Sequence, residues 1–308
     1  MSAYLGFVFI LLTAVFWGIV GVLARFLLAS GMGPEEIAFW RSVLACILFG
    51  AAAAATRQQR LRAGKDIFGF MIFGVVCLAC LFLSYTYAVK EGGAALTVVL
   101  QYTAPAWVVV FSRFLFAEPL TRRKCLALMI SLAGVAAVSL SGGTGSSGMN
   151  VLGVGLGLLS GVLAAVQFVS TKKLVAFYSP FAIYGYGFFF SALTLYPFVD
   201  FVEKSPLDWV ILLVLGVVCT CLAFFFYAAG VKRLEASTAS IICTFEPVVA
   251  TLAAWLIWNE TFRPLGILGI VMVIGAVLML VLGPAPRTRG EGAASTQVEA
   301  GEAKARDE

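Results

Sequence analysis

The sequence contains no histidine, and charged residues make up only 12% of its 308 residues. An ordinary soluble domain carries roughly 25% charged residues. Nine of the charges lie in the last 25 residues, so the first 283 residues have too few polar groups to cover a water-exposed surface. This composition excludes a soluble globular enzyme. The missing histidine also excludes Ser-His-Asp triads, HExxH zinc sites and histidine proton relays.

Long uncharged segments are abundant instead, and a membrane-spanning helix needs about 20 mostly apolar residues. Uncharged runs cover residues 1–24, 67–89, 92–112, 174–199, 209–231 and 264–286, and the run 125–171 divides at the Gly/Ser-rich connection 141–150. Two more spans, 34–55 and 237–258, tolerate an internal charge. We predict an all-α integral membrane protein with ten transmembrane helices. The first helix lacks a basic n-region and a cleavage site, so we expect it to be retained.

Basic residues are distributed unevenly among the predicted loops. The four even-numbered loops contain twelve Lys or Arg residues, whereas the odd-numbered loops from the third helix onward contain only three. Cytoplasmic loops carry the excess of basic residues. We therefore predict a multi-pass protein of the cell (inner) membrane with both termini in the cytoplasm.

An internal repeat relates the two parts of the chain. Shifting the sequence by 142 residues aligns 66–121 with 208–263, and 12 of the 56 pairs are identical. In both copies a proline precedes a glutamate by 13 residues. The repeating unit has five helices, and an odd number inverts the second copy in the membrane.

This repeat predicts a 5+5 inverted architecture. The two units are residues 1–140 and 151–283, and we expect the polar residues 284–308 to form a disordered cytoplasmic tail. Two inverted halves can pack around a shared central site and expose it alternately to each side of the membrane. The topology is therefore typical of a transporter.

The chain resembles the EamA type of the drug/metabolite transporter superfamily. The resemblance covers residues 5–283 and is carried by these residues: Pro34 and Arg41 in helix 2; Ala94, Pro105 and Glu118 across helix 4; and Glu246-Pro247, Asn259-Glu260-Thr261 and Gly266 across helices 9 and 10. The family usually has Gly-Glu near the ends of helices 4 and 9, where this chain has Ala117-Glu118 and Asn259-Glu260. The resemblance implies ten spans, both ends inside, and export of small metabolites or drugs.

Glu246 is the first candidate for transport chemistry. It lies ten residues into the predicted helix 9, and a charge at that depth costs about 2.5–3.5 kcal/mol on the insertion scale. It is a candidate to bind a substrate ammonium or to carry a coupling proton, because burial favours the neutral carboxylic acid. The alternative is a neutral glutamic acid hydrogen-bonded to a neighbouring helix.

Arg41 is the second charge inside a predicted span, seven residues from the outer end of helix 2. It can bind a substrate carboxylate or pair with Glu246. It can also extend its guanidinium to the membrane interface.

Aromatic and amide side chains within the spans complete the predicted substrate-binding set. The aromatic candidates are Trp17, Trp40, Tyr85, Tyr102, Trp107 and Tyr186, and the amide candidates are Gln101 and Gln167. Aromatic walls can hold apolar groups or a cation. Helix packing and helix–helix hydrogen bonding are the competing roles.

The remaining motifs give no evidence for an enzyme. The seven cysteines have no histidine or further ligand pair around them, so we expect buried hydrophobic cysteines and no metal or cofactor. The aspartates 66, 200, 208 and 307 lie at loops or in the tail, whereas an intramembrane aspartyl protease needs two deep ones. No Walker A motif is present.

We therefore predict a secondary active transporter that exports small organic metabolites, such as amino acids or related amphiphilic compounds, by alternating access, with proton coupling through Glu246 as a hypothesis. Uptake or facilitative exchange is the alternative, since topology does not set the direction of flux. A membrane-embedded enzyme or a sensor is a third. We expect the lipid bilayer and a small molecule as partners and no nucleic acid, and the sequence leaves open a homodimer.

Overall fold

In a computed structural model of the chain, residues 2–58, 64–141, 151–258 and 263–282 are described. These residues contain ten helices long and apolar enough to span a membrane. They run Ala3–Ala29, Pro34–Ala55, Asp66–Glu91, Leu96–Leu115, Arg122–Ser141, Val151–Leu174, Pro180–Phe198, Pro206–Val231, Ala236–Ile257 and Pro264–Val281, and are numbered spans 1 to 10. The all-α membrane fold with ten spans is confirmed. The predicted connection at 142–150 and the tail from 284 lie outside the described residues.

Fourteen α-helices build the spans of the described chain. The first seven are α1 (Ser2–Ala29), α2 (Pro34–Ala55), α3 (Asp66–Ile72), α4 (Cys80–Gly92), α5 (Ala94–Gln101), α6 (Ala104–Leu115) and α7 (Arg122–Ser141). The others are α8 (Val151–Leu174), α9 (Pro180–Leu195), α10 (Pro206–Gly216), α11 (Ala223–Val231), α12 (Ala236–Cys243), α13 (Glu246–Trp258) and α14 (Pro264–Val281). A short 3₁₀ turn, Tyr196–Phe198, follows α9.

Two spans contain a π-helical segment at matching places in the chain. Phe73–Ala79 joins α3 to α4 in span 3, and Val217–Leu222 joins α10 to α11 in span 8. Such segments insert one residue into the helical turn and commonly occur at functional sites. The shift of 142 residues that relates the sequence repeat carries 73–79 onto 215–221, which overlaps the second segment except for two residues at its start and one at its end.

The helices pack in pairs that follow the same relation. Span 5 packs along span 10, and span 2 packs along span 7. Span 1 contacts spans 8 and 9, and span 6, its counterpart in the repeat, contacts spans 3 and 4. Glycines allow the closest approaches: a Cβ on Gly134 would lie 2.8 Å from the carbonyl oxygen of Gly269. Small residues at helix contacts are the usual means of packing in membranes, where apolar burial gives little driving force.

The two ends of the bundle differ in charge. At one end, α7 and α12 begin and α8 and α11 end. This end is called the basic end, because it holds Arg122, Arg123, Lys124, Lys172, Lys173, Lys232 and Arg233. The other, called the acidic-basic end, pairs Glu36 with Lys204 at 2.5 Å and Glu35 with Lys90.

Candidate functional site

Spans 4 and 9 are each interrupted midway. Tyr102 and Thr103 separate α5 from α6, and Thr244 and Phe245 separate α12 from α13. A proline follows each interruption, and proline has no amide hydrogen to donate and disfavours the helical conformation of the residue before it. The helix interior is therefore broken at the same place in both spans.

Each interruption satisfies its freed backbone groups locally. The Thr103 hydroxyl donates to the carbonyl oxygen of Leu100 at 2.7 Å, and the Thr244 hydroxyl donates to that of Ile241 at 2.6 Å. Unpaired backbone groups are costly in a bilayer, so irregular backbone is tolerated only where it is buried in protein or lines a cavity. Discontinuous helices at this depth form the substrate sites of many secondary transporters.

Two glycines bring a neighbouring helix against each interruption. A Cβ on Gly18 of span 1 would lie 2.8 Å from the carbonyl oxygen of Glu246. A Cβ on Gly161 of span 6 would lie 2.8 Å from the carbonyl oxygen of Leu100. Both contacts are closer than a methyl group permits, so glycine is required for this packing.

Glu246 is the first residue of α13 and lies at the centre of a polar cluster. Its carboxylate accepts a hydrogen bond from the Tyr102 hydroxyl, so the two interrupted spans meet through these side chains. Arg41 of span 2 interacts electrostatically with the carboxylate. Tyr85 of span 3 and Cys243 of span 9 also interact electrostatically with Glu246. The side chain is only partly buried, although it lies in the middle of a span. Residues of spans 2, 3, 4 and 9 therefore converge on this carboxylate.

The Arg41 guanidinium is hydrogen-bonded to a residue of span 8. Its Nε donates to the Thr220 hydroxyl oxygen at 3.0 Å, and its Cζ lies 5.6 Å from the centre of the Phe82 ring. Thr220 belongs to the π-helical segment and donates its own hydroxyl to the carbonyl oxygen of Leu215 at 2.8 Å. Because Nε is occupied, the two terminal NH₂ groups are the donors left for a carboxylate.

Four of the predicted site residues, Arg41, Tyr85, Tyr102 and Glu246, thus lie together. Trp17 lies next to Gly18 in the chain and packs in an aromatic group with ring centres 5.3 Å from Phe224 and 5.8 Å from Tyr227. Gln101 ends α5 at the span 4 interruption, where its carbonyl oxygen faces Gly161. Trp17 therefore adjoins Gly18, which lies against the Glu246 backbone, and Gln101 adjoins Tyr102.

Gln167 lies in a second, buried polar chain. Its amide donates to the Thr171 hydroxyl at 3.3 Å, and that hydroxyl lies 3.3 Å from the hydroxyl of Tyr184. Only 3% of the Gln167 surface is exposed. The Thr171–Tyr184 contact links span 6 to span 7, whereas Gln167 itself bonds within span 6, and its part in substrate binding stays a prediction.

Three predicted aromatic residues lie apart from Glu246. Tyr186 stacks on Phe70 with ring centres 5.4 Å apart, toward the basic end, and Trp107 is 38% exposed on the surface of α6. Trp40 lies at the acidic-basic end, where its indole donates to Glu36 at 3.2 Å and its ring lies 5.4 Å from the Lys204 ammonium. The structure does not bring these residues into the cluster, and their part in substrate binding stays a prediction.

Sequence reasoning did not select Thr220 or Phe82. Phe82 and Phe224 are identical partners in the repeat, which is a signal that such reasoning can use. Thr220 has no such signal, because a π-helical turn is not encoded by an obvious residue pattern. Within the described residues, no group of three or more Cys, Asp or Glu side chains is placed to hold a metal ion.

One model of a known family matches the chain in two places. A model of the EamA-like transporter family matches residues 4–140 and again residues 151–282. The chain belongs to the EamA-like transporter family. It is accordingly a multi-pass membrane transporter for small molecules.

Relatives of this EamA-like transporter carry transporter names. It is 26% identical to the uncharacterized inner membrane transporter YicL of Salmonella typhimurium, with 92% of this chain and 97% of that protein covered. It is 26% identical to the pseudopaline exporter CntI of Pseudomonas aeruginosa, with 82% and 87% covered. A solved crystal structure with 18% identity superimposes with a TM-score of 0.79 over 91% of this chain and 96% of the other, and shares the fold.

Proposed function

We propose that this protein is a secondary active transporter that exports small organic metabolites by alternating access. The central cluster of Glu246, Arg41, Tyr102 and Tyr85 would bind the substrate, and Glu246 would carry a coupling proton. The observation that carries the proposal is the position of Glu246, a partly exposed residue at the start of α13, where the two interrupted spans meet.

The architecture supports the alternating-access part of this proposal. The family model matches once in each predicted half, and the interruptions and the π-helical segments recur at corresponding positions. The helix pairs likewise recur in corresponding combinations. Two inverted halves that rock against each other around a fixed site would account for this duplication.

The chemistry of the cluster supports a substrate with separate charged groups. The terminal NH₂ groups of Arg41 suit a carboxylate, because guanidinium binds carboxylates with two parallel hydrogen bonds. Glu246, when ionised, suits an ammonium group. Amino acids and related amphiphilic metabolites carry both groups. The name of the relative CntI describes an exporter, which agrees with flux out of the cell.

The excess of basic residues at one end supports an orientation with that end, and both termini, in the cytoplasm. The protein would then lie in the cell (inner) membrane, as the name of the relative YicL states for that protein.

The proposal is tested by flux measurements on the purified protein in liposomes. Labelled amino acids, nucleosides and organic cations are offered with and without a pH gradient. We expect flux of at least one zwitterionic solute that responds to the gradient. Absence of gradient-dependent or exchange flux for every solute would contradict the proposed mechanism.

The role of Glu246 is tested by Glu246→Gln, with Glu203→Gln in the loop before α10 as the matched control. We expect Glu246→Gln to abolish the response to the pH gradient and Glu203→Gln to transport as the unchanged protein does. An unchanged rate and pH profile in Glu246→Gln would remove the coupling role.

A further inference from the structure

The Glu118 side chain, at the basic end, is buried and fully engaged by a distant helix. Only 7% of the residue is exposed. Its carboxylate accepts the amide hydrogens of Ala236 at 2.8 Å and Ser237 at 3.1 Å, and it also accepts the hydroxyl of Ser237. Ala236 and Ser237 are the first two residues of α12. Glu118 therefore caps a helix that begins 118 residues further along the chain.

The residue that normally caps such a helix does not do so here. Glu235 occupies the N-cap position of α12, yet its side chain makes no capping hydrogen bond. It forms an ion pair with Lys124 at 2.6 Å instead. N-cap side chains ordinarily satisfy the first amides of their own helix. In α12 this local interaction is replaced by one with Glu118, in the loop between spans 4 and 5.

The surrounding charges join the same two parts of the protein. Lys172 of span 6 donates to the carbonyl oxygens of Val231 at 2.6 Å and Leu234 at 2.7 Å, and it interacts electrostatically with Glu118. Glu118 and Lys124 belong to the first predicted half, whereas α12 and Lys172 belong to the second. The contacts of Glu118 with α12 and of Lys124 with Glu235 therefore fasten one half to the other at the basic end, whereas the Lys172 hydrogen bonds join spans 6 and 8 within the second half.

The backbone beside Glu118 is strained. Ala117 has φ of 54°, in the left-handed region, where an L-residue other than glycine is disfavoured. A residue persists in such a conformation only when its surroundings impose it, and such residues concentrate at functional sites and switch regions. Ala117 is adjacent to Glu118 and its three hydrogen bonds to α12.

α12 connects this contact directly to the central cluster. The helix has eight residues, which correspond to about 12 Å at 1.5 Å per residue, and the interruption that leads to Glu246 follows it. While Glu118 holds its amides, the start of α12 stays against the loop that follows span 4. Any movement of α12 away from that loop requires these hydrogen bonds to break.

We propose that Glu118 is a latch that keeps the basic end closed and is released when the protein opens its central site to that side. This inference rests on the proposed alternating access. In the latched state Glu118 holds α12, and Ala117 stores strain that favours release. In the released state the amides of Ala236 and Ser237 are free to bind water from the basic end.

Cysteine labelling tests the latch without any substrate. Cys243 is 4% exposed and ends α12 beside Glu246, whereas Cys125 is exposed at the basic end. A membrane-impermeant thiol reagent is added separately to each side of the membrane, and labelling at both cysteines is measured by peptide mass spectrometry. The side from which Cys125 reacts identifies the basic end.

We expect Glu118→Gln to raise the labelling rate of Cys243, relative to Cys125, about ten-fold from the basic end only, on the order of the loss of one charge-assisted hydrogen bond. Ser237→Ala should act in the same direction with a smaller effect. Ala117→Gly, which removes the strain and keeps the carboxylate, should label no faster than the unchanged protein. Glu36→Gln, at the acidic-basic end, is the matched control and should not raise labelling from the basic end.

Unchanged labelling in Glu118→Gln, with an unchanged melting temperature and elution volume, would show a static cap and overturn the latch. Equal increases from both sides would show general loosening and would overturn it as well. Labelling does not depend on flux, so a failed flux screen would count against the proposed function while the labelling result still decides whether the latch opens.

Discussion

The two interrupted spans share a backbone design but differ in the chemistry at the break. In span 4 the residues from 101 to 104 are Gln, Tyr, Thr and Ala, and in span 9 the corresponding residues from 243 to 246 are Cys, Thr, Phe and Glu. A proline follows in each, and a threonine hydroxyl binds a carbonyl oxygen three residues earlier in each. Only the second break carries a carboxylate, and the first contributes the tyrosine that donates to it.

The residues that both breaks share serve helix packing, whereas the residues that only one break has supply the polar groups of the site. The duplicated features, namely proline, threonine and a facing glycine, create the break and satisfy its backbone. The features that occur once, Glu246 with Arg41 and Thr220, provide the charge. The position that the repeat places opposite Thr220 is Leu78, which is apolar and buried. We therefore expect the site to be asymmetric although the sequence repeats.

The largest effect should come from moving the carboxylate between the breaks. Glu246→Ala should lower transport about ten-fold or more, because it leaves the Arg41 charge in the interior without its partner. Adding Ala104→Glu, at the corresponding position of span 4, should not restore transport, because the repeat has Leu78 in place of the Thr220 that holds Arg41. Flux in liposomes at matched protein amount measures both. Recovery of transport in the double variant would show that the two breaks are equivalent.

The facing glycines should show a smaller, shared effect on stability. Gly18→Ala and Gly161→Ala each place a methyl group within 2.8 Å of a carbonyl oxygen, and such overpacking typically costs about 1–3 kcal/mol. Both variants should therefore melt at a lower temperature in detergent, measured by thermal unfolding. Gly18→Ala should also reduce transport more, because the displaced carbonyl belongs to Glu246. A larger transport loss in Gly161→Ala would contradict this assignment.

Removal of the Tyr102 hydroxyl should mainly lower transport, whereas removal of the Thr244 hydroxyl should mainly lower the melting temperature. Tyr102→Phe removes the donor to Glu246, so we expect a transport loss of a few-fold, corresponding to about 1 kcal/mol for one hydrogen bond. Thr244→Val removes a donor to a backbone carbonyl, so we expect a lower melting temperature and a smaller change in transport. Initial rates and melting curves of the two variants provide the comparison. Equal effects on both quantities would remove the distinction.

The smallest effect on transport should come from removing the Thr220 hydroxyl that binds Arg41. Thr220→Val removes the acceptor of the Arg41 Nε, and we expect a transport loss corresponding to about 0.5–1 kcal/mol, seen mainly in the apparent substrate affinity. Thr220→Ser keeps the hydroxyl and should transport as the unchanged protein does. If valine and serine behave alike, the hydroxyl does not position Arg41.

Much of the fold was predictable because bilayer physics acts on composition. The uncharged runs predicted ten spans, and Pro34, Pro180, Pro206 and Pro264 begin four of the helices found. The depth of Glu246 predicted an unusual site, because a charge inside a span is costly wherever it lies. The internal match of Pro105 with Pro247 also predicted that spans 4 and 9 correspond, although not that each would be broken.

The rest of the site depended on distances between residues far apart in sequence. Trp40, Trp107 and Tyr186 have the same residue character as Trp17 or Tyr85, and periodicity does not tell which of them faces Glu246. Thr220 became visible only once the π-helical turn placed its hydroxyl on Arg41, across 179 residues of sequence. Glu118 was visible as a motif, but its contact with the start of α12 was not.

By itself, the sequence determined that this chain crosses the membrane ten times, since so few charges leave no other environment for its apolar residues. It also determined that Glu246 and Arg41 lie within spans. Only the tertiary structure decided that Tyr102 donates to Glu246, that Thr220 holds Arg41 and that Glu118 caps α12. Composition fixes the solvent that a segment prefers, whereas packing of separate helices fixes which polar groups meet within hydrogen-bond distance.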